Sequence, residues 1–232
     1  MSRETWGYNK DNGPDEWGYM RPDFALCCDG RSQSPIDLTN ATHAPLTPIT
    51  FNYKPIPLAI FNNGTTIRVD CKAKNKNTII HNEKSYELVQ LHFHHPSEHT
   101  LKNEHYEMEL HLVHQHVTTN TAAVVAVFMT VGETCNDAYR TIFEHLPSEV
   151  GTPEDKPLLT IDAAELLPQN TKTFYTYEGS LTTPPCSEIV HWLILTEPVK
   201  ILQEHVDRFH ALYSGNARPT QSVNTRDVFT NR

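Results

Sequence analysis

Apolar and polar positions alternate with a period of two over much of this chain. Extended runs of this kind are predicted at residues 58–62, 65–71, 78–81 and 86–95, because side chains at i and i+2 leave the same face of a strand. Asn62-Asn63-Gly64 and Asn82-Glu83 supply turn chemistry between them. Residues 105–117 and 122–131 read as a long strand pair joined by residues 118–121. Val124, Val125, Val127 and Phe128 make the second strand almost continuously apolar, which predicts a central position buried on both faces. Further strands are expected at 174–177 and 189–195, and residues 152–156 read as a polar loop.

Helical spacing occurs in two places. Ala138, Ile142, Phe143 and Leu146 recur at three- and four-residue steps within 136–146. Val199, Leu202, Val206, Phe209 and Leu212 do the same, with Thr196-Glu197-Pro198 as a start signal. Residues 1–35 lack periodicity and read as an irregular segment anchored by Trp6, Tyr8 and Trp17. No repeat, linker or shift of composition divides the chain, so residues 1–232 are expected to form a single domain. The pattern alone predicts a mainly β, β-rich α+β protein with few, peripheral helices.

Composition narrows the function. A chain of 232 residues with 38% hydrophobic residues can build a sizeable core. A net charge of -9 without a basic run speaks against nucleic acid and anionic membranes as partners. No run of 18 apolar residues is present to span a bilayer as a helix. Residues 1–10 lack the apolar core of a signal peptide, which leaves an intracellular protein or one whose leader is absent from this sequence. Five cysteines, Cys27, Cys28, Cys71, Cys135 and Cys186, show no zinc-finger spacing.

The chemistry gathers in Gln90-Leu91-His92-Phe93-His94 and Glu109-Leu110-His111-Leu112-Val113. Strand alternation sets Gln90, His92 and His94 on one face, with Leu91 and Phe93 on the other. In the second stretch Glu109, His111 and Val113 share a face. If the two strands are neighbours, three imidazoles converge. Three neutral nitrogen ligands with one open position describe a catalytic zinc site, whereas a closed structural site calls for a fourth protein ligand. Gln90 and Glu109 each precede a candidate ligand by two residues. They are placed to accept that ring's other N–H, the arrangement that fixes the tautomer of a metal-bound histidine. Two solvated polar positions on an ordinary strand would account for His92-x-His94 alone, but not for these flanks.

These stretches resemble the ligand strands of the alpha-class carbonic anhydrases. Three further segments agree: Trp6-Gly7-Tyr8 through Trp17 to Gln33-Ser34-Pro35-Ile36; Tyr177-Glu178-Gly179-Ser180-Leu181-Thr182-Thr183-Pro184-Pro185-Cys186-Ser187-Glu188 followed by Trp192; and Gly215-Asn216, Arg218-Pro219 and Gln221. The resemblance spans nearly the whole chain. It implies a large, mostly antiparallel, twisted central sheet flanked by short helices. It also implies Zn2+ held by His92, His94 and His111, and attack of zinc-bound hydroxide on carbon dioxide to give bicarbonate and a proton.

The resemblance assigns further roles. Thr182 becomes the gatekeeper that donates to Glu98 and aims the nucleophile, and Thr183 contacts substrate or water. The carbonyl of Asn216 orients the second ligand. Val113, Val124, Leu181, Val190 and Trp192 form the apolar wall for carbon dioxide. Tyr8 and Asn63, with Thr183, order water for proton release, but Thr65 stands where fast members carry a shuttle histidine. A disulfide is implied between Cys186 and a cysteine before Gln33, with Cys28 taken as the partner and Cys27 left open. With that bridge goes a periplasmic or secreted location in preference to a cytoplasmic one. Asn40-Ala41-Thr42 and Asn63-Gly64-Thr65 fit the glycosylation sequon. The oligomeric state stays open, a homodimer included. The competing readings are an inactive binding module, which usually loses a ligand histidine, and a metalloprotease, whose His-Glu-x-x-His is absent.

Overall fold

The computed structural model describes residues 5–71, 77–151 and 154–232, with the backbone alone for 154–157. Among the described residues, 12 strands make one sheet. Its main path runs Thr42–His43, Phe229–Thr230, Phe174–Gly179, Val190–Ile201, Ala122–Val131, Met108–His116, Lys84–His94, Ile67–Asp70, Ile56–Asn62, Glu154–Ile161. Thr78–His81 pairs with Lys84–His94 off this path, and Thr50–Asn52 pairs with Thr78–His81. Every pairing in this sheet is antiparallel except Thr42–His43 with Phe229–Thr230, and Ala122–Val131 with Val190–Ile201.

The central strand explains the layering. Ala123, Val125, Val127 and Met129 face one core, which Ala138, Tyr139, Ile142 and Phe143 of helix Asp137–Glu144 and Val206 and Phe209 of helix Gln203–Leu212 cover. Ala122, Val124, Ala126 and Phe128 face a second core with Ile36, Leu38, Tyr175, Tyr177 and Trp192. Leu91, Phe93, Leu110 and Leu112 belong to the helix-covered side. Their strand neighbours His92, His94 and His111 therefore point to the other. Asn136 caps the first of these helices by accepting from Tyr139 N.

Some elements depart from expectation. Residues 199–201 continue the strand, and the helix begins only at Gln203. Val199 and Ile201 pair with Met129 and Val131 across a register shift that absorbs Pro198, so sheet pairing overrides the helical spacing. The expected loop at 152–156 falls partly on Thr152 and Pro153, which lie outside the described residues. Its remainder opens the strand Glu154–Ile161, paired with Ile56–Asn62 at the end of the main path. The run expected from residue 105 starts at Met108, because Glu104–His105 instead pairs with Thr100–Leu101. Near the N-terminus, Trp6, Tyr8 and Trp17 meet edge to face at 5.5–6.1 Å. The Trp17 indole donates to the carbonyls of Gly7 and Asn12.

Candidate active site

Register builds the site. Lys84–His94 and Met108–His116 run antiparallel with His92 opposite His111, His94 opposite Glu109 and Gln90 opposite Val113. The ring centroids lie 4.9 Å (His92 to His94), 5.2 Å (His92 to His111) and 4.6 Å (His94 to His111) apart. One nitrogen of each ring is committed elsewhere. His92 Nδ1 donates to Gln90 Oε1 at 2.9 Å, His94 Nδ1 to the Asn216 carbonyl at 2.8 Å, and His111 Nε2 to Glu109 Oε1 at 2.8 Å. Since each partner is an acceptor, the other nitrogens keep their lone pairs: His92 Nε2, His94 Nε2 and His111 Nδ1. The three rings offer ligand atoms within 4.8 Å of one another, so together they can hold a metal ion. His94 Nε2 is buried without any hydrogen-bond partner, the state expected of a donor atom waiting for a cation.

Electrostatics favours the same form. Burial holds His92 well below the usual imidazole range, and the neighbouring His94, His111 and Arg68 add to it. Burial lowers His94 as well, against the pull of Glu98. Neutral imidazole is the form that binds metal. Burial alone would raise Glu109. The facing His99 and His111, with hydrogen bonds from both rings, outweigh it and hold the carboxylate well below its ordinary range. Glu109 Oε2 also accepts the backbone N–H groups of Glu98 and His99 at 2.9 and 2.8 Å. His99, Glu109 and His111 form a second candidate cluster. Its atoms are already joined to each other at 2.7 and 2.8 Å, so it reads as the support of the first and not as a separate metal site.

Glu98 is fully buried beside this cluster. Its Oε1 accepts the Arg218 backbone N–H at 2.9 Å, and its Oε2 lies 3.9 Å from His111 Nδ1 with no hydrogen-bond partner. Thr182 is buried, but the hydrogen bond expected from its hydroxyl to Glu98 Oε2 is not formed in this structure. A cleft of about 230 Å³ opens onto His92 and His94, and Tyr8, Asn63, Thr65 and Thr183 line it. Asn63 Oδ1 there accepts from Thr65 N, Thr65 Oγ1 and Thr66 N, closing a turn in which Gly64 takes φ +93°. Val113, Val124 and Trp192 stand side by side in register on the face that carries His92 and His111. They pack with Val190 and Leu181 in one apolar cluster. The Trp192 ring stands 4.9 Å from that of His111.

A profile of the family described as eukaryotic-type carbonic anhydrase matches residues 12–232. The chain belongs to the carbonic anhydrase family. A carbonic anhydrase of Nostoc sp. (strain PCC 7120) is 39% identical over 229 residues, covering 97% of this chain and 85% of the relative. The alpha-carbonic anhydrase of Thermovibrio ammonificans, solved with the inhibitor sulfanilamide, superposes with a TM-score of 0.91 at 37% identity. It covers 97% of this chain and 98% of its own. Dioscorin, solved in complex with ascorbate, shares the fold with a TM-score of 0.88 at 27% identity, covering 98% of each chain.

One expectation is corrected. The disulfide joins Cys27, not Cys28, to Cys186. Both candidates sit in the helical turn Leu26–Asp29, where successive side chains diverge by about 100°. Cys27 points inward against Trp17 and Cys186, while Cys28 is exposed and carries a free thiol. Arg218 had no assigned role, yet its buried guanidinium links this bridge to the site. Its Nη2 donates to the Cys27 carbonyl and its Nη1 to Gln33 Oε1 and the Ser34 carbonyl. Gln33 Nε2 in turn donates to the Cys186 carbonyl. Arg68 was also missed, although the alternation Ile67-Arg68-Val69-Asp70 places it opposite His92 and in the cleft wall.

Proposed function

We propose that this chain catalyses the reversible hydration of carbon dioxide to bicarbonate and a proton, with zinc held by His92 Nε2, His94 Nε2 and His111 Nδ1. One observation carries the reading. The three nitrogens are left bare at one point while the other nitrogen of each ring is committed to an acceptor. Two imidazole Nε2 atoms and one Nδ1 without a thiolate are the donor set of an open zinc site. When bound, zinc lowers the pKa of water to about 7 and supplies a nucleophile at neutral pH.

The protein's own residues do the rest. Gln90, Glu109 and the Asn216 carbonyl hold the three rings in the metal-binding tautomer. The apolar cluster of Val113, Val124, Leu181, Val190 and Trp192 offers an apolar substrate a dry wall beside His111. Glu98 keeps one buried carboxylate oxygen in want of a donor, and we assign Thr182 to supply it. A threonine that donates to Glu98 can only accept from the attacking oxygen, which aims it at the substrate carbon. Tyr8, Asn63 and Thr183 order water in the cleft. Among the described residues, no histidine other than His92 and His94 lines it, and Thr65 cannot hold a proton near pH 7. Proton release is therefore the slow step in dilute buffer. The Cys27–Cys186 bridge supports a periplasmic or secreted location. Stopped-flow hydration of carbon dioxide, with and without a zinc chelator, tests the reading. Turnover that a chelator abolishes and zinc restores is expected, and turnover indifferent to the chelator overturns it.

A further inference from the structure

Among the described residues, the cleft offers no base beyond His92 and His94, but it does carry charge. Ile67 and Val69 point into the core, so strand alternation turns Arg68 the other way, into the cleft wall opposite His92. Arg68 Nε donates to Asp70 Oδ1 at 2.7 Å, and the guanidinium carbon lies 5.6 Å from the Phe61 ring centroid. These contacts hold the group in place without using it up. Arg21 grips Asp23 through both Nε and Nη2. Arg68 makes only the Nε bond, and among the described residues its two terminal nitrogens have no acceptor. The side chain is 39% exposed, so solutes can reach it. Among the described residues it is the one formally charged group in the lining, where every other group is aromatic, amide, hydroxyl or neutral imidazole.

Each hydration, CO2 + H2O → HCO3− + H+, leaves a proton that the cleft's own side chains cannot keep. The acceptor must come from solution. We propose that Arg68 docks this acceptor and selects for an oxyanion with two negative charges and a pKa close to neutral, hydrogen phosphate being the type. The proposal rests on the hydration activity proposed above and names the co-reactant of its proton step. A guanidinium fork with two open donors matches oxyanion geometry. The proton transfer balances as HPO4²⁻ + H+ → H2PO4−. The acceptor's charge halves as it takes the proton, so its hold on Arg68 weakens and it leaves. Imidazole gains nothing from the guanidinium on arrival and is repelled as imidazolium.

The test compares phosphate with imidazole as the sole buffer at matched pH and ionic strength, at saturating carbon dioxide. The proteins are the zinc-loaded wild type, Arg68→Gln and Arg68→Lys. In Arg68→Gln the half-saturating phosphate concentration should rise roughly tenfold, as expected for loss of a charge-assisted contact. The imidazole value should move less than twofold. Arg68→Lys, which keeps the charge but loses the fork, should fall between. Calorimetric titration of the same proteins with inorganic phosphate should show the same order of affinity, independent of turnover. Phosphate and imidazole curves that respond equally to Arg68→Gln would overturn the proposal alone, as would calorimetric affinities indifferent to it. Absence of turnover in either buffer would overturn the hydration reading and this proposal with it.

Discussion

At the scale of single residues, the site depends on where each polar atom finds its partner. Glu98 Oε2 is buried with none, and Thr182 is the proposed donor. Thr182→Ala should keep its metal and lose roughly a hundredfold in turnover, the usual cost of removing one aimed hydrogen bond at a reacting centre. Elemental analysis beside stopped-flow rates checks both halves, and wild-type turnover would remove Thr182 from the mechanism. Thr65→His should raise turnover in dilute buffer by roughly ten- to a hundredfold, the range of a positioned acid–base group. The effect should vanish in concentrated buffer. If wild-type turnover is already high in dilute buffer, another residue carries the proton.

At the scale of elements, strand alternation did most of the reading. The pairs Leu91/Phe93 and Leu110/Leu112 set His92 and His94 on one face of their strand and His111 on one face of its own, and the pairing then brought the two faces together with His92 opposite His111. Helical spacing was less reliable. Val199 fits it, yet its ladder partner Met129 claims it for the sheet. Local pattern could not choose between Cys27 and Cys28, because the choice depends on which side of one helical turn meets Trp17 and Cys186. Nor could it show Arg218, whose contacts span more than a hundred residues of sequence. The bridge closes a separation of 159 residues. Cys27→Ser should therefore cost roughly 2–5 kcal/mol in urea unfolding and expose the Cys186 thiol to titration. Cys28→Ser should remove one exposed thiol with little change in stability. Equal losses from the two substitutions would contradict the pairing.

At the scale of the whole molecule, buried histidines couple stability to pH. Burial pushes His114 down to about 3, its Nε2 lying 2.7 Å from the Tyr53 hydroxyl, and burial with His191 nearby pushes His81 down to about 4. The unfolded chain takes up these protons near the ordinary imidazole pKa of about 6.5, whereas the folded chain does so only at lower pH. The stability they contribute is thus fully present above about pH 6.5 and is lost as pH falls toward 3 to 4. Glu109, held below its ordinary range, acts in the same direction at still lower pH. Urea midpoints should fall steadily from pH 7 to pH 4, and His114→Gln should flatten the slope. A midpoint flat over that window would contradict the burial of these rings.

In the proposed mechanism His92, His94 and His111 form one zinc site, and that site does the chemistry. The most direct measurement is zinc per chain, read with carbon dioxide hydration on the same samples, for the wild type and for His111→Ala. One zinc per wild-type chain is expected, with activity proportional to zinc content through chelation and reloading, and a folded His111→Ala protein with weakened zinc and no turnover. Well under one zinc per chain after zinc-replete purification, or hydration that persists in His111→Ala, would contradict it.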